Sequence, residues 1–397
     1  MGPLKGLQVL ELGNMIAAPT AGCLLGDFGA RVVKVEHPLL GDDLRRWPPT
    51  KGDVPLWWKV TNRNKELITL DLGKPAGQEL CKRMVSRFDI VIENFRPGTL
   101  ERWGLGYEVL AEINPRVILV RISGYGQTGP YSRRPGYGTV AEAMSGVPSF
   151  TGFPDGPPTF SAFPLVDSLA GMFGVQAALM AVYERDVAGS GRGQVIDVSL
   201  FESLFRLLDS QVVGYDQLGL IKARMGNRMA EDSPRNAYRT SDGEYVAVSA
   251  GSQRTYSRLA EAVGDPTMLS DHRFATNEAR CDNADVLDDI VAKWFAGLTL
   301  ADAMERLEAS DVVAGPVYDV ARIFEDPHYA ARNAIVSVPD ADLGEIRMQG
   351  VVPKFARTPG EIRHTGGAMG EADRAFFCDE IGLSAAELEN LVAQGVV

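Results

Sequence analysis

The chain has 397 residues, 45% hydrophobic and 23% charged, enough for two or three domains with ample core. Forty Lys and Arg against 52 Asp and Glu give a net charge of -12, which repels a phosphate backbone and argues against nucleic acid as a main partner. The cysteines, Cys23, Cys81, Cys281 and Cys378, are too scattered for a CxxC motif or a disulfide framework, so a reducing cytoplasm is the expected location.

The N-terminal segment has no basic run followed by a long apolar run, so no export signal is expected. LQVLEL, the helical APTAGCLLGDFGA and RVVKVE then make one βαβ unit. LITLDL, a helix over 74–88, DIVIENF, a helix over 98–113 and RVILVRISGY continue the alternation, which predicts a parallel sheet covered by helices. Such sheets bind ligands beyond the carboxyl ends of their strands, here the loops 13–17, 37–46, 94–97 and 124–137. Gly/Pro-rich loops follow Tyr125. The mostly apolar run 169–183 is shorter than the roughly 20 residues of a membrane span and predicts a buried core helix starting near Asp167. QVIDVSL reads as a strand, the polar and basic stretch near 222–234 as a linker, and AYRTSDGEYVAVSAG as a hairpin on an Asp-Gly turn opening a small α+β domain. VVAGPV marks its exit, and the tail from Asp326 mixes short strands with a final helix.

Glu36 stands at the end of the second strand, where a dinucleotide fold places its ribose acid. The preceding loop Gly13-Asn-Met-Ile-Ala-Ala-Pro supplies one glycine instead of GxGxxG, which favours a solvated strand-end carboxylate. His37, His272, His328 and His364 do not share helical spacing and no GxSxG occurs, so a helix-borne metal site and a serine hydrolase lack support. Asp167 is expected at the N-cap of the apolar helix, and two readings stand: a plain cap, or an ionised carboxylate at a positive helix end, able to act as a nucleophile.

The segments LGDFGARVVKVEHPLLGDDLRRW, NRNKELITLDL, ENFRPGTLERWGLGYEVL, GYGQTGPY, TGFPDGPP, GRGQVIDVSL, DHRFATNEAR, AGPV and TPGEIR occur in a characteristic order and spacing. Through them the chain resembles the class III CoA-transferase family, the formyl-CoA transferase and carnitine CoA-transferase group, over nearly its whole length. The resemblance implies an α/β fold: a Rossmann-like large domain with a parallel sheet from 1–221 and 318–397, a linker at 222–235, and a smaller α+β domain at 236–317. It also implies a homodimer of interlocked chains, with an acyl-CoA and a carboxylic acid as substrates. Coenzyme A enters as substrate, no tightly bound cofactor or metal is implied, and neither nucleic acid nor a membrane is an expected partner.

By the same resemblance the nucleophilic aspartate falls on Asp167, giving aspartyl anhydride and aspartyl-CoA thioester intermediates. CoA contacts fall on Ile16, Ala17, His37, Leu70 with the residues to Gly73, Asn94, Phe95, Arg96, Arg102, and the stretch containing Arg134 and Tyr137. Each has a plainer alternative: Phe95 and Leu70 as core, Asn94 as a loop cap, Arg102 on a solvated helix face. His37 departs from the arginine that relatives commonly carry. The glycine-rich loop of the formyl-CoA branch is represented only by AGSQ at 250–253. Racemases of this fold use a histidine in the segment equivalent to 135–139, where this chain has none, which favours transfer over racemisation; a racemase or a non-catalytic CoA-binding protein are the alternatives. Arg45, Arg46 and Lys59 near the entrance suggest a dicarboxylate such as succinate as donor, whereas Trp57 and Trp58 would suit an apolar or aromatic acceptor.

Overall fold

The structure, a computed structural model, describes residues 2–397. The chain divides into two compact units, the first formed from the chain up to Val147 with Phe160–Val212 and Ala331–Val397, the second from Pro148–Thr159 and Val213–Ala330.

In the first unit, β1 (Gln8–Glu11) and β2 (Arg31–Glu36) are followed by a small antiparallel pair, β3 (Thr50–Lys51) and β4 (Val54–Pro55). Then come β5 (Lys65–Thr69), β6 (Ile90–Glu93), β7 (Ile118–Ser123) and β8 (Val195–Ser199). Six of these strands form one parallel sheet in the order β5-β2-β1-β6-β7-β8, which is the doubly wound order of dinucleotide-binding folds. Successive strand residues point to opposite faces. Leu10, Val33, Ile68, Val91 and Leu119 meet the helix Pro75–Val85 on one face, and Val9, Val32, Ile90, Ile118 and Val120 meet the helices Ala17–Asp27 and Leu165–Tyr183 on the other. The tail completes the first of these faces: Phe376 and Phe377 enter its core, the Ala372 N–H donates to Leu67 O at 3.0 Å, and the Asp71 N–H donates to Val396 O at 2.8 Å.

Three expectations need correction. The helix expected over 98–113 is two, Thr99–Arg102 and Tyr107–Ile113, because the chain turns at Gly104, whose φ is +64°. The helix expected near Asp167 starts at Leu165 with Pro164 as its N-cap residue, so Asp167 lies inside the first turn. Nor is that helix buried all round. Its small residues Ala170, Gly171, Gly174, Ala178 and Ala181 face the unit's core, while Met172, Met180 and Tyr183 are exposed. By length and composition Leu165–Ala188 is apolar enough to cross a membrane, and about a third of its most apolar stretch is buried. The buried stripe is small for a reason: a Cβ on Gly171 would lie 2.8 Å from Ala17 O, so the two helices touch through backbone.

In the second unit, β9 (Arg235–Arg239), β10 (Tyr245–Ser249) and β11 (Ala314–Pro316) form an antiparallel sheet in the order β11-β10-β9. The turn between β9 and β10 carries the expected Asp242-Gly243, with Gly243 at φ +90°. Tyr238, Val246, Leu259, Leu287, Val291 and Phe295 form the core, and the Tyr238 and Phe295 rings stack at 5.3 Å. Within 222–235, Arg228 pairs with Asp285 and Asp288, both at 2.6 Å. A last antiparallel pair, β12 (Ile335–Asp340) and β13 (Gly344–Gln349), returns to the first unit.

Candidate active site

The strand order reverses between β1 and β6, so the crevice for a ligand opens where the loops after these two strands part. Both loops are fixed by hydrogen bonds. Asn94, just past β6, accepts from the Asn14 N–H with its Oδ1 and donates to Asn14 O with its Nδ2, each at 2.8 Å. Beneath the β1 loop lies a fully buried ion network. Lys34 Nζ reaches Glu11 Oε1 at 2.9 Å, Asp42 Oδ2 at 2.8 Å and Gly13 O at 2.8 Å, while Lys65 Nζ reaches Glu11 Oε2 at 2.8 Å. Burial opposes the charge on both lysines; Asp42 and Glu11 outweigh it at Lys34, whose pKa is raised, whereas that of Lys65 is lowered. The Asp42 carboxylate also accepts from the Met15 N–H at 3.1 Å, which holds Met15 in the left-handed region at φ +66°.

The CoA contacts expected from the sequence range from buried to exposed. Ile16, Ala17 and Leu70 are buried, which leaves only their backbone for the contacts expected of them. Phe95 packs edge-on against Trp103 at 5.1 Å, and its N–H donates to Glu93 Oε2 at 2.7 Å. His37 accepts from the Leu39 N–H through Nδ1 at 3.2 Å, and its Nε2 lies 3.8 Å from Asp71. Arg96, Arg102 and Arg134 are exposed, and among the described residues none has a carboxylate within ion-pair reach. Arg102 donates to Thr99 Oγ1 at 3.0 Å, and Arg134 lies over the Tyr131 ring at 3.7 Å. Tyr137 is 75% exposed and is the N-cap residue of the helix Gly138–Ser145.

Asp167 sits one helical turn before Gly171, about 6 Å along the axis, so it stands near the Ala17 end of the crevice. A Cβ on Gly138 would come within 2.1 Å of Asp167 Oδ2; only glycine lets the start of that second helix lie against the carboxylate. Two helix N-termini therefore meet at one carboxylate, and both favour negative charge there. No side chain among the described residues donates to Asp167 or pairs with it. Burial pushes its pKa from 3.8 up to about 6, against a lowering hydrogen bond from its own backbone N–H. A half-buried carboxylate raised in this way is more basic than usual yet ionised at neutral pH, as a carboxylate nucleophile requires.

The sequence profile of CoA-transferase family III matches residues 4–372. The chain belongs to this family. It is 44% identical over 397 residues to the succinyl-CoA–D-citramalate CoA-transferase of Chloroflexus aurantiacus, with 100% of this chain and 98% of that protein covered. It is 35% identical over 364 residues to the succinate–glutarate CoA-transferase of Agrobacterium fabrum, covering 90% and 88%. Among solved structures, a CaiB/BaiF family protein from Brucella suis superimposes with a TM-score of 0.85 at 33% identity, covering 95% of this chain and 99% of that one.

As a family III CoA-transferase the chain does not use its entrance cations as expected. Arg45 grips the buried Glu36 with two bonds of 2.6 and 2.7 Å and stacks 3.7 Å over Trp58, so Glu36 is not a solvated carboxylate and Arg45 is not free for a substrate. Arg46 pairs with Asp43. Lys59 is buried between Asp340 at 2.9 Å and Asp342 at 2.6 Å, and Trp58 is buried with its Nε1–H donating to Gly367 O at 3.0 Å. Trp57 packs against Trp47 at 5.7 Å. In the second unit the AGSQ loop is tied down by the buried Arg280, which donates to Gly251 O at 2.5 Å and Gln253 Oε1 at 3.0 Å. Sequence reasoning missed Gly138, which lies against Asp167, and the buried Glu142 one helical turn further on. Neither carries a local signal, because what each meets comes from another part of the chain.

Proposed function

We propose that this transferase moves CoA from a donor acyl-CoA to an acceptor carboxylic acid with Asp167 as the covalent nucleophile. The observation that carries the reading is the Asp167 carboxylate, without a side-chain partner among the described residues and raised to about 6 by burial, at the meeting point of two helix N-termini. An Asp167 oxygen attacks the thioester carbonyl carbon, the C–S bond breaks, and CoA thiolate leaves a mixed anhydride. The thiolate attacks the aspartyl carbonyl carbon, forming the aspartyl-CoA thioester and releasing the donor carboxylate. An acceptor carboxylate attacks that thioester, expelling the thiolate. The thiolate then takes the acceptor's acyl carbon and frees Asp167. No net proton moves, so the site has to stabilise successive oxyanions, and backbone N–H groups at the two helix starts supply donors for them.

Arg96, Arg102 and Arg134 are the cations we assign to the CoA phosphates, because their charges are not neutralised within the chain. The relatives point to succinyl-CoA as donor and a short dicarboxylic acid as acceptor. A homodimer is part of the proposal. It is supported by a groove of about 640 Å³ lined by Phe173, Met180 and Phe205, and by exposed apolar residues from Leu207 to Ile221.

Incubating the protein with succinyl-CoA and hydroxylamine tests the chemistry. One modified aspartyl peptide, containing Asp167, is expected, with inactivation. Modification elsewhere, or full activity in Asp167→Ala, refutes it. Sedimentation at micromolar concentration is expected to give twice the chain mass.

A further inference from the structure

Glu142 lies on the helix Gly138–Ser145, one turn after Gly138, and is 6% exposed. Among the described residues no cation is within ion-pair reach of it. Both of its oxygens go to one residue: Oε1 accepts from the Ser161 N–H and Oε2 from the Ser161 Oγ–H, each at 2.8 Å. Burying a carboxylate without a cation is costly, and an apolar side chain would fill the same space more cheaply. What the carboxylate achieves is a tie between this helix and the segment that leads into the helix Leu165–Tyr183.

The tie closes a ring. Gly138 lies against Asp167 Oδ2, Asp167 follows Ser161 by six residues, Ser161 is held by Glu142, and Glu142 returns to Gly138 through one helical turn. The Glu142 link adds a hydrogen-bonded restraint to the contact at Gly138 and to the apolar packing that the two helices share through Ala141, Leu165 and Val166. We propose that Glu142 is a positioning residue of this transferase, fixing through Ser161 the junction of two helix starts that aims the Asp167 carboxylate. The proposal rests on the reading of Asp167 as nucleophile.

The test compares wild type, Glu142→Ala, Glu142→Gln and Ser161→Ala with succinyl-CoA as donor, measuring kcat, KM, the acid limb of kcat/KM against pH, and hydroxylamine labelling. Glutamine keeps both bonds, accepting from the Ser161 N–H and donating to Oγ; alanine keeps neither. Glu142→Ala is expected to lower kcat about a hundredfold with little change in KM, the scale of an ångström-sized misplacement. Its acid limb moves down towards the ordinary carboxylate range as water enters the loosened junction. Glu142→Gln restores most of kcat and the wild-type limb, and Ser161→Ala changes both in the direction of Glu142→Ala but less. The limb reports on Asp167: Cys23, Asp27, Glu142, Arg121, Asp197, Glu202 and the run Glu184, Arg185, Asp186 stand on the elements packed against its helix, and none contributes to its raised pKa.

Wild-type kcat and limb in Glu142→Ala, with Asp167 labelled in wild type, overturn the positioning role alone. Absence of label on Asp167 in wild type overturns the nucleophile and the positioning role together. If Glu142→Ala does not fold, Ser161→Ala decides, and wild-type values there overturn the proposal.

Discussion

Replacing Asp167 by asparagine should make the protein more stable at neutral pH while abolishing transfer. The carboxylate's pKa is raised from 3.8 to about 6 in the folded chain, so the fold prefers its protonated form. The stability this contributes is fully present below pH 3.8 and is lost as pH rises through about 6; at pH 8 the folded protein bears the full cost of an ionised Asp167. Each pH unit corresponds to about 1.4 kcal/mol, which gives about 3 kcal/mol in all, and solvent screening of a half-buried group brings this to about 1–2 kcal/mol. An uncharged, nearly isosteric amide removes the cost. Urea unfolding followed by tryptophan fluorescence reads the first unit mainly, because Trp47, Trp57, Trp58 and Trp103 lie there and only Trp294 lies in the second. Asp167→Asn should exceed wild type by about 1–2 kcal/mol at pH 8, and the advantage should vanish by pH 4. A variant no more stable than wild type at pH 8, or an advantage that persists unchanged at pH 4, would refute the reasoning.

Gly138→Ala should lower kcat by about a hundredfold or more while leaving the unfolding midpoint nearly unchanged, because its Cβ would displace the carboxylate it touches; wild-type turnover would show that the contact does not matter. In wild type, kcat/KM should fall on the acid side with an apparent pKa near 6, the ionisation of Asp167, and a limb near 4 would contradict its burial. Asn94→Ala removes two hydrogen bonds across the crevice and should cost about 1–3 kcal/mol of stability and raise KM for acyl-CoA, both measurable on the purified protein. Arg102→Ala should raise KM for acyl-CoA at low ionic strength and matter less at high salt, with kcat nearly unchanged; a salt-independent effect would remove Arg102 from the phosphate set.

The parallel sheet was legible because β-branched runs and helical stretches alternate at short intervals from LQVLEL to RVILVRISGY, and burial on both strand faces demands that composition. Gly104 carried the signal for the break in the 98–113 helix, but a single glycine within a helical pattern is ambiguous until φ is known. The ion network was not legible. Lys34 and Lys65 lie in strands where lysine ordinarily marks a solvent-facing position, and what pairs with them in the interior is Glu11 on β1, one strand from Lys34 and two from Lys65, a pairing made by the sheet and not by proximity in the chain. Arg45 misled for the same reason: its partner Glu36 precedes it by nine residues, across a turn whose geometry the sequence does not specify. Asp167 could be named but not aimed, since the helix start that lies against its carboxylate is Gly138, brought there through separate bends of the chain.

Phe376 and Phe377, which complete one face of the parallel sheet, bear on how the protein is made. All six strands have left the ribosome long before these residues do, so during synthesis the sheet waits with one apolar face incompletely covered. The second unit, whose three strands and their helices lie within 213–330, is under no such delay and can form its core first. Vectorial synthesis thus favours folding from the middle outwards. The interval before residues 372–397 emerge is when the nascent chain is most exposed to aggregation and to capture by chaperones.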